Sequence, residues 1–142
     1  MIYTAQTKKA LKVCFDMHKD QTDKSGLPYV FHPFHLAEQM QDEVTTVVAL
    51  LHDVVEDTPC TFDDLREMGF DEAVLQSLAL LTHDDGVPYM EYVAAIKQNP
   101  IAKAVKLADL RHNSDLSRMD TVDERALKHH QKYMDAIAFL ES

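Results

Sequence analysis

Residues 45–56 read TTVVALLHDVVE, and the reading of this stretch decides the fold. Val47, Val48, Leu51, Val54 and Val55 are apolar enough for a buried strand. The length of the run and the spacing of its polar residues predict a buried helix instead. His52, Asp53, Glu56 and, just beyond, Asp57 interrupt that helix. His52 to Glu56 and Asp53 to Asp57 are each four apart, so on a helix these four side chains share one stripe. One reading is a solvated stripe at the end of an amphipathic helix. The other is a site, because carboxylates and an imidazole in an apolar segment are costly unless a cation or partner compensates. A divalent metal ion does this directly.

The flanking sequence is helical in both directions. Leu11, Cys14, Phe15 and His18 recur at helical spacing and predict a first helix near residues 3–19. DQTDKSGLPY (20–29) reads as a loop with Gly26 and Pro28 as turn formers, and Pro33 suits the opening turn of a second helix. Thr61 with Asp64 predicts a capped short helix, and Asp71 a cap for EAVLQSLALL (72–81), which ends in a turn at Asp84-Asp85-Gly86. Pro88 begins another helix, and Asn99-Pro100 supplies the cap and first turn for IAKAVKLADLRHN (101–113). Thr121 with Glu124 fits a capping box before a last helix, whose apolar stripe runs through Ala126, His130, Tyr133, Met134 and Ile137. No alternating strand pattern competes. The expectation is an all-α, compact single-domain bundle of about eight helices over residues 1–142, without repeats or linkers.

Charge and composition narrow the partners. A formal net charge of −10 at pH 7 opposes binding to DNA or RNA, which rests on neutralising phosphates with Lys and Arg. A small phosphorylated substrate stays compatible, because a bound divalent cation reverses the local charge. No apolar run approaches the roughly 18 residues of a membrane span, and the N-terminus lacks a secretory core, so a cytoplasmic protein without a membrane partner is expected. Cys14 and Cys60 lie far apart and match no zinc spacing; they read as reduced thiols, one of them in the core. Nothing in the sequence sets an oligomeric state.

Two other segments carry polar groups where a core is expected. In AVKLADLRHN (104–113), Asp109 shares a face with Val105, Ala108 and His112, with Asn113 four residues on. In PYVFHPFH (28–35), His32 stands at the mouth of a helix after aromatic and apolar residues. His32, His52, Asp53 and Asp109 together form a nitrogen and oxygen set that suits Mn²⁺, Fe²⁺ or Zn²⁺ better than Ca²⁺ or a thiolate-bound metal. His18, His35, His112, His129 and His130 read as satisfied groups outside that set. His83, beside Asp84-Asp85, reads as part of a solvated turn rather than a second metal site.

The order GLPYVFHP, ALLHDVVEDT, VKLADLRHN resembles the hydrolase domain of the RelA/SpoT-type alarmone enzymes and their small single-domain relatives, within the HD phosphohydrolase superfamily. The likeness runs from the first helix to Asn113. It implies an HD-type helical fold and one divalent ion, Mn²⁺ being the family metal. His32, the His52-Asp53 pair and Asp109 then hold the ion, and Glu56 and Asp57 occupy the positions of the catalytic acidic pair. Lys24 and Ser25 match the loop that holds the nucleotide, and Asn113 matches a pocket residue. The implied reaction is metal-dependent removal of pyrophosphate from the ribose 3′ position of guanosine 3′-diphosphate 5′-diphosphate (ppGpp) or its pentaphosphate relative. The synthetase of some family members is a second domain, which a chain of this length is not expected to hold. The family loop GQxRKSG is here DQTDKSG, with Asp20 and Asp23 at a glycine and an arginine. ADRLHNMRT is here ADLRHNSDL, with Leu110 and Asp115 at basic positions. These departures leave open an HD-type nucleotidase or phosphodiesterase acting on another nucleotide, or a non-catalytic metal-binding regulatory domain.

Overall fold

The computed structural model describes residues 1–142. It consists of α1 (Ala5–His18), α2 (Phe31–Glu38), α3 (Glu43–Leu51), α4 (Val54–Asp57), α5 (Phe62–Glu67), α6 (Glu72–Leu81), α7 (Tyr89–Lys97), α8 (Pro100–Asn113) and α9 (Glu124–Glu141), with a 3-10 turn at Leu116–Arg118. The only β pairing is an isolated antiparallel bridge between Thr22 and Pro28. α4 is a single four-residue turn; the longer helices number the eight expected. No helix is long and apolar enough to cross a membrane.

α3 is the axis of the bundle and packs against α1, α2, α6 and α8. Thr46, Val47, Val48, Ala49, Leu50 and Leu51 are all buried, as the apolar run requires. One continuous core forms around them, including Leu36, Leu65, Leu78, Ile96, Val105 and Leu140. Both cysteines lie buried in it as free thiols, rather than one alone.

The helix expected over 45–56 is broken. His52 closes α3, and Asp53 swings to φ −107°, ψ 1°, outside the helical range, before α4 restarts at Val54. Val54 stays in the core, whereas Glu56 and Asp57 turn out to solvent. The four-apart stripe therefore does not exist as drawn, although the side chains still converge.

Local signals fixed most of the other helix ends. Thr4 and Thr7 cap α1 reciprocally, and Thr61 and Asp64 do the same for α5. Asp71 and Asn99 accept the first amides of α6 and α8. Pro33 lies in the first turn of α2, two residues after its start, where its missing N–H is still harmless. Three expectations need correction. Asp123 caps α9 by accepting from the Ala126 N–H, in place of the Thr121–Glu124 box. The buried stripe of α9 is Ala126, Ala136 and Leu140, and Met134 is exposed. Phe15 of α1 is also exposed, while Cys14 and His18 carry the inner face.

Leu50 is fully buried and Leu127 is half exposed. Leu50→Ala should therefore cost about 2–5 kcal/mol in chemical denaturation, whereas Leu127→Ala should stay within about 0.5 kcal/mol. Equal losses at the two positions would contradict the placement of α3 at the centre.

Candidate metal centre

Three elements meet at the polar end of the core. The end of α3 and the turn after it carry His52 and Asp53, the first turn of α2 carries His32, and the second half of α8 carries Asp109. His32 and His52 are each 4% exposed and Asp109 is 6% exposed. One nitrogen or oxygen from each of these three lies within 4.8 Å of the others. His32 Nε2 is 2.8 Å from Asp109 Oδ1, and His52 Nε2 is 3.1 Å from Asp53 Oδ2 and 3.6 Å from Asp109 Oδ1. The structure thus brings residues distant in sequence to one point.

Surrounding bonds aim these groups. His52 Nδ1 donates to the Ala49 carbonyl at 2.7 Å, which turns its other nitrogen toward the carboxylates. His32 Nδ1 lies 2.6 Å from His112 Nδ1, with the rings stacked at 4.9 Å. The Tyr29 hydroxyl donates to Asp53 Oδ2. Asp109 receives the Asn113 amide at 3.0 Å on Oδ1 and the Lys106 ammonium at 3.1 Å on Oδ2.

The electrostatics ask for positive charge here. Burial works against a charged His52, but Asp53 and Asp109 outweigh it and raise its proton affinity well above the ordinary imidazole value. Burial likewise opposes ionised Asp109, yet Lys106 and the two imidazoles hold its carboxyl well below the usual range. Lys106, itself buried, is kept charged chiefly by Asp109. Even so, His52 Nε2 is buried and makes no hydrogen bond, with Asp53 Oδ2 at 3.1 Å and Asp109 Oδ1 at 3.6 Å beside it. A cation among these atoms meets a demand that a proton on Nε2 leaves poorly met. Imidazole nitrogens and carboxylate oxygens, without thiolate, suit a divalent metal ion.

Asp53 also belongs to a second group, with Glu56 and Asp57, whose carboxylate oxygens lie within 4.8 Å of one another. Glu56 accepts the His83 backbone N–H at 2.8 Å. Burial first, and then the charge of Asp53, raises the proton affinity of both Glu56 and Asp57. Carboxyl groups with raised proton affinity beside a charged centre are suited to take and give protons.

Beside a groove of ≈ 300 Å³ between His32, His35 and His112, two further grooves open onto the centre. The larger, ≈ 690 Å³, is lined by Lys24, Ser25, Tyr29, His32 and Asn113, among others. The smaller, ≈ 250 Å³, is lined by Asp53, Glu56, Asp57 and Asp109. Asn113 and Tyr133 border both.

Three of the four positions that depart from the family motifs have structural reasons. Asp23 Oδ1 accepts from the Ser25 and Leu27 amides at 2.9 and 3.0 Å, shaping a loop that turns at Gly26 with φ +80°. Its other oxygen faces Arg118 at 3.6 Å, and the Ser25 hydroxyl donates to the Arg118 carbonyl. The added anion is therefore largely engaged within the fold. Asp115 caps the 3-10 turn, Leu110 is a core residue, and Arg111 pairs with Glu141. Nothing in the contacts of Asp20 explains its place.

Several neighbours of the centre escaped the sequence reading. Lys106 had a signal, being a cation three residues before Asp109 on the same helix. His112 and His83, set aside as satisfied or solvated, pack on His32 and line the small groove beside Glu56. Tyr29 stands within GLPYVFHP, three residues before His32, whereas Arg118, Lys132 and Tyr133 had no spacing relation to the motifs and depend on tertiary folding for their proximity.

No protein-family model matches the chain. The bifunctional (p)ppGpp synthase/hydrolase SpoT of Escherichia coli K12 is 33% identical over 121 residues, 75% of this chain. The chain spans only 17% of that relative's length. The guanosine-3′,5′-bis(diphosphate) 3′-pyrophosphohydrolase MESH1 of Mus musculus is 36% identical over 128 residues, 80% of this chain and 71% of that protein. The fold matches a solved structure of a metazoan SpoT ortholog with a TM-score of 0.76 at 24% identity, over 99% of this chain and 87% of the other. With the three HD-type motifs in order and a small relative matched over most of its length, the chain belongs to the guanosine-3′,5′-bis(diphosphate) 3′-pyrophosphohydrolase family.

Proposed function

We propose that this chain removes pyrophosphate from the ribose 3′ position of ppGpp or its pentaphosphate relative, with one divalent ion held by His32, His52, Asp53 and Asp109. The observation that carries the reading is the buried, unpartnered His52 Nε2 set between carboxylates, in a chain whose relatives are named for this hydrolysis. Mn²⁺ is the metal the family resemblance points to, and the nitrogen and oxygen donors accept it. When bound, the ion supplies Lewis-acid charge at the phosphoryl group and lowers the pKa of water beside it.

The chain's own residues do the rest. His52 and His32 are oriented through their Nδ1 contacts, and Tyr29 steadies Asp53. Lys106 keeps Asp109 ionised. Glu56 and Asp57 divide the proton work. One takes a proton from water as its oxygen joins phosphorus; the other gives a proton to O3′ as the P–O3′ bond breaks, leaving a 3′-hydroxyl and pyrophosphate. Lys24, Ser25 and Asn113 lie along the larger groove, whose ≈ 690 Å³ is ample for a nucleoside.

Asp23 supports a second reading, the same chemistry on a different nucleotide, because a carboxylate lines the groove where the family carries an arginine. A screen of the Mn²⁺-loaded protein against a nucleotide panel, with phosphate and pyrophosphate detected separately, decides between them. Pyrophosphate released from ppGpp is expected; turnover confined to other phosphoesters overturns the first reading. Asp53→Ala should lose both bound metal, by elemental analysis, and turnover. Glu56→Gln should keep its metal and lose about 10²–10⁴-fold in kcat, and an unchanged kcat would remove Glu56 from the proton transfers.

A further inference from the structure

The smaller groove holds a cation and a hydroxyl that the protein leaves uncommitted. Lys132, on α9, places its Nζ 4.1 Å from the centre of the Tyr89 ring and forms no ion pair. The Tyr89 hydroxyl oxygen is buried and has no hydrogen-bond partner. The remaining charges of this wall are Asp53, Glu56, Asp57 and Asp109, together with Lys106, which is engaged by Asp109. The carboxylates draw the ammonium toward this wall, yet none pairs with it directly, so its donors stay open to an anion entering the groove. A buried hydroxyl without a partner is costly until a ligand supplies one.

Shape assigns the two ends of the substrate. The larger groove has apolar wall from Leu116, Met119 and Ala126 and aromatic wall from Tyr29, which suits a base and ribose. The smaller, at ≈ 250 Å³ and walled mostly by charged and polar groups, suits phosphate. His32 faces the first, Asp53 and Asp109 face the second, and Asn113 and Tyr133 border both. A molecule occupying both grooves therefore passes the cluster of His32, His52, Asp53 and Asp109 at the junction.

We propose that Lys132 Nζ and the Tyr89 hydroxyl bind the terminal phosphate of the substrate's 3′-diphosphate, making the smaller groove the subsite of the departing pyrophosphate. This rests on the proposed hydrolysis and assigns its leaving group. The ammonium neutralises phosphate charge among the acids, and the hydroxyl donates to a phosphate oxygen, a charge-assisted bond. Held on the Tyr89 face, Lys132 loses less freedom on binding than a free surface lysine.

The test is equilibrium dialysis of labelled inorganic pyrophosphate, and separately of labelled guanosine, against the full chain in constant excess Mn²⁺. Lys132→Gln should weaken pyrophosphate binding about tenfold or more, and Tyr89→Phe should weaken it several-fold. Lys132→Arg should restore most of the loss, and guanosine binding should stay within about twofold throughout. Unchanged pyrophosphate binding in Lys132→Gln overturns the assignment, and so does an equal loss for both probes. Turnover of ppGpp by the wild type is read on the same preparation. Turnover together with Lys132-independent pyrophosphate binding defeats the subsite alone, whereas Lys132-dependent binding without turnover defeats the hydrolysis and leaves an anion subsite.

Discussion

Ionisable groups buried at one point of an apolar bundle set the terms for the rest of this structure. His32, His52 and Asp109 come from three helices and meet where water cannot solvate them. Each alone would cost several kcal/mol. Together with Asp53 and Lys106 they offset much of that cost, and the proton affinity of His52 still rises well above its ordinary value. The surroundings leave this centre short of positive charge, and its nitrogen and oxygen donors suit a divalent cation.

The break between α3 and α4 shows how the chain reconciles an oily helix with such a centre. Asp53 leaves the helical range for one residue, and α4 then points Glu56 and Asp57 toward the smaller groove. The bonds from Tyr29 and His83 fix the two ends of this turn. Loop 20–28 is tied down in the same spirit by Asp23, Ser25 and Arg118, so both walls of the larger groove rest on internal hydrogen bonds.

The fold was largely legible in the sequence because its signals are local. Thr61, Asp71 and Asn99 mark helix starts through caps that need only a few neighbouring residues, and the apolar run of α3 admits little but a central helix. The residues His32, His52, Asp53 and Asp109 stood out because each sits among apolar neighbours that make a polar group anomalous. The α3–α4 break was hidden, since a one-residue departure from helical geometry leaves the apolar pattern intact. His112, His83, Lys132 and Tyr133 were hidden for another reason. Their sequence neighbourhoods are ordinary amphipathic helix or turn, and only the packing of α2, α8, α9 and the α6–α7 loop brings them to the centre.

The most direct test is a crystal of the Mn²⁺-soaked protein with anomalous diffraction collected at the manganese edge. A single strong peak at bonding distance from His32 Nε2, His52 Nε2 and carboxylate oxygens of Asp53 and Asp109 is the predicted result. A peak confined to Asp53, Glu56 and Asp57, or none near the two imidazoles, would contradict the account.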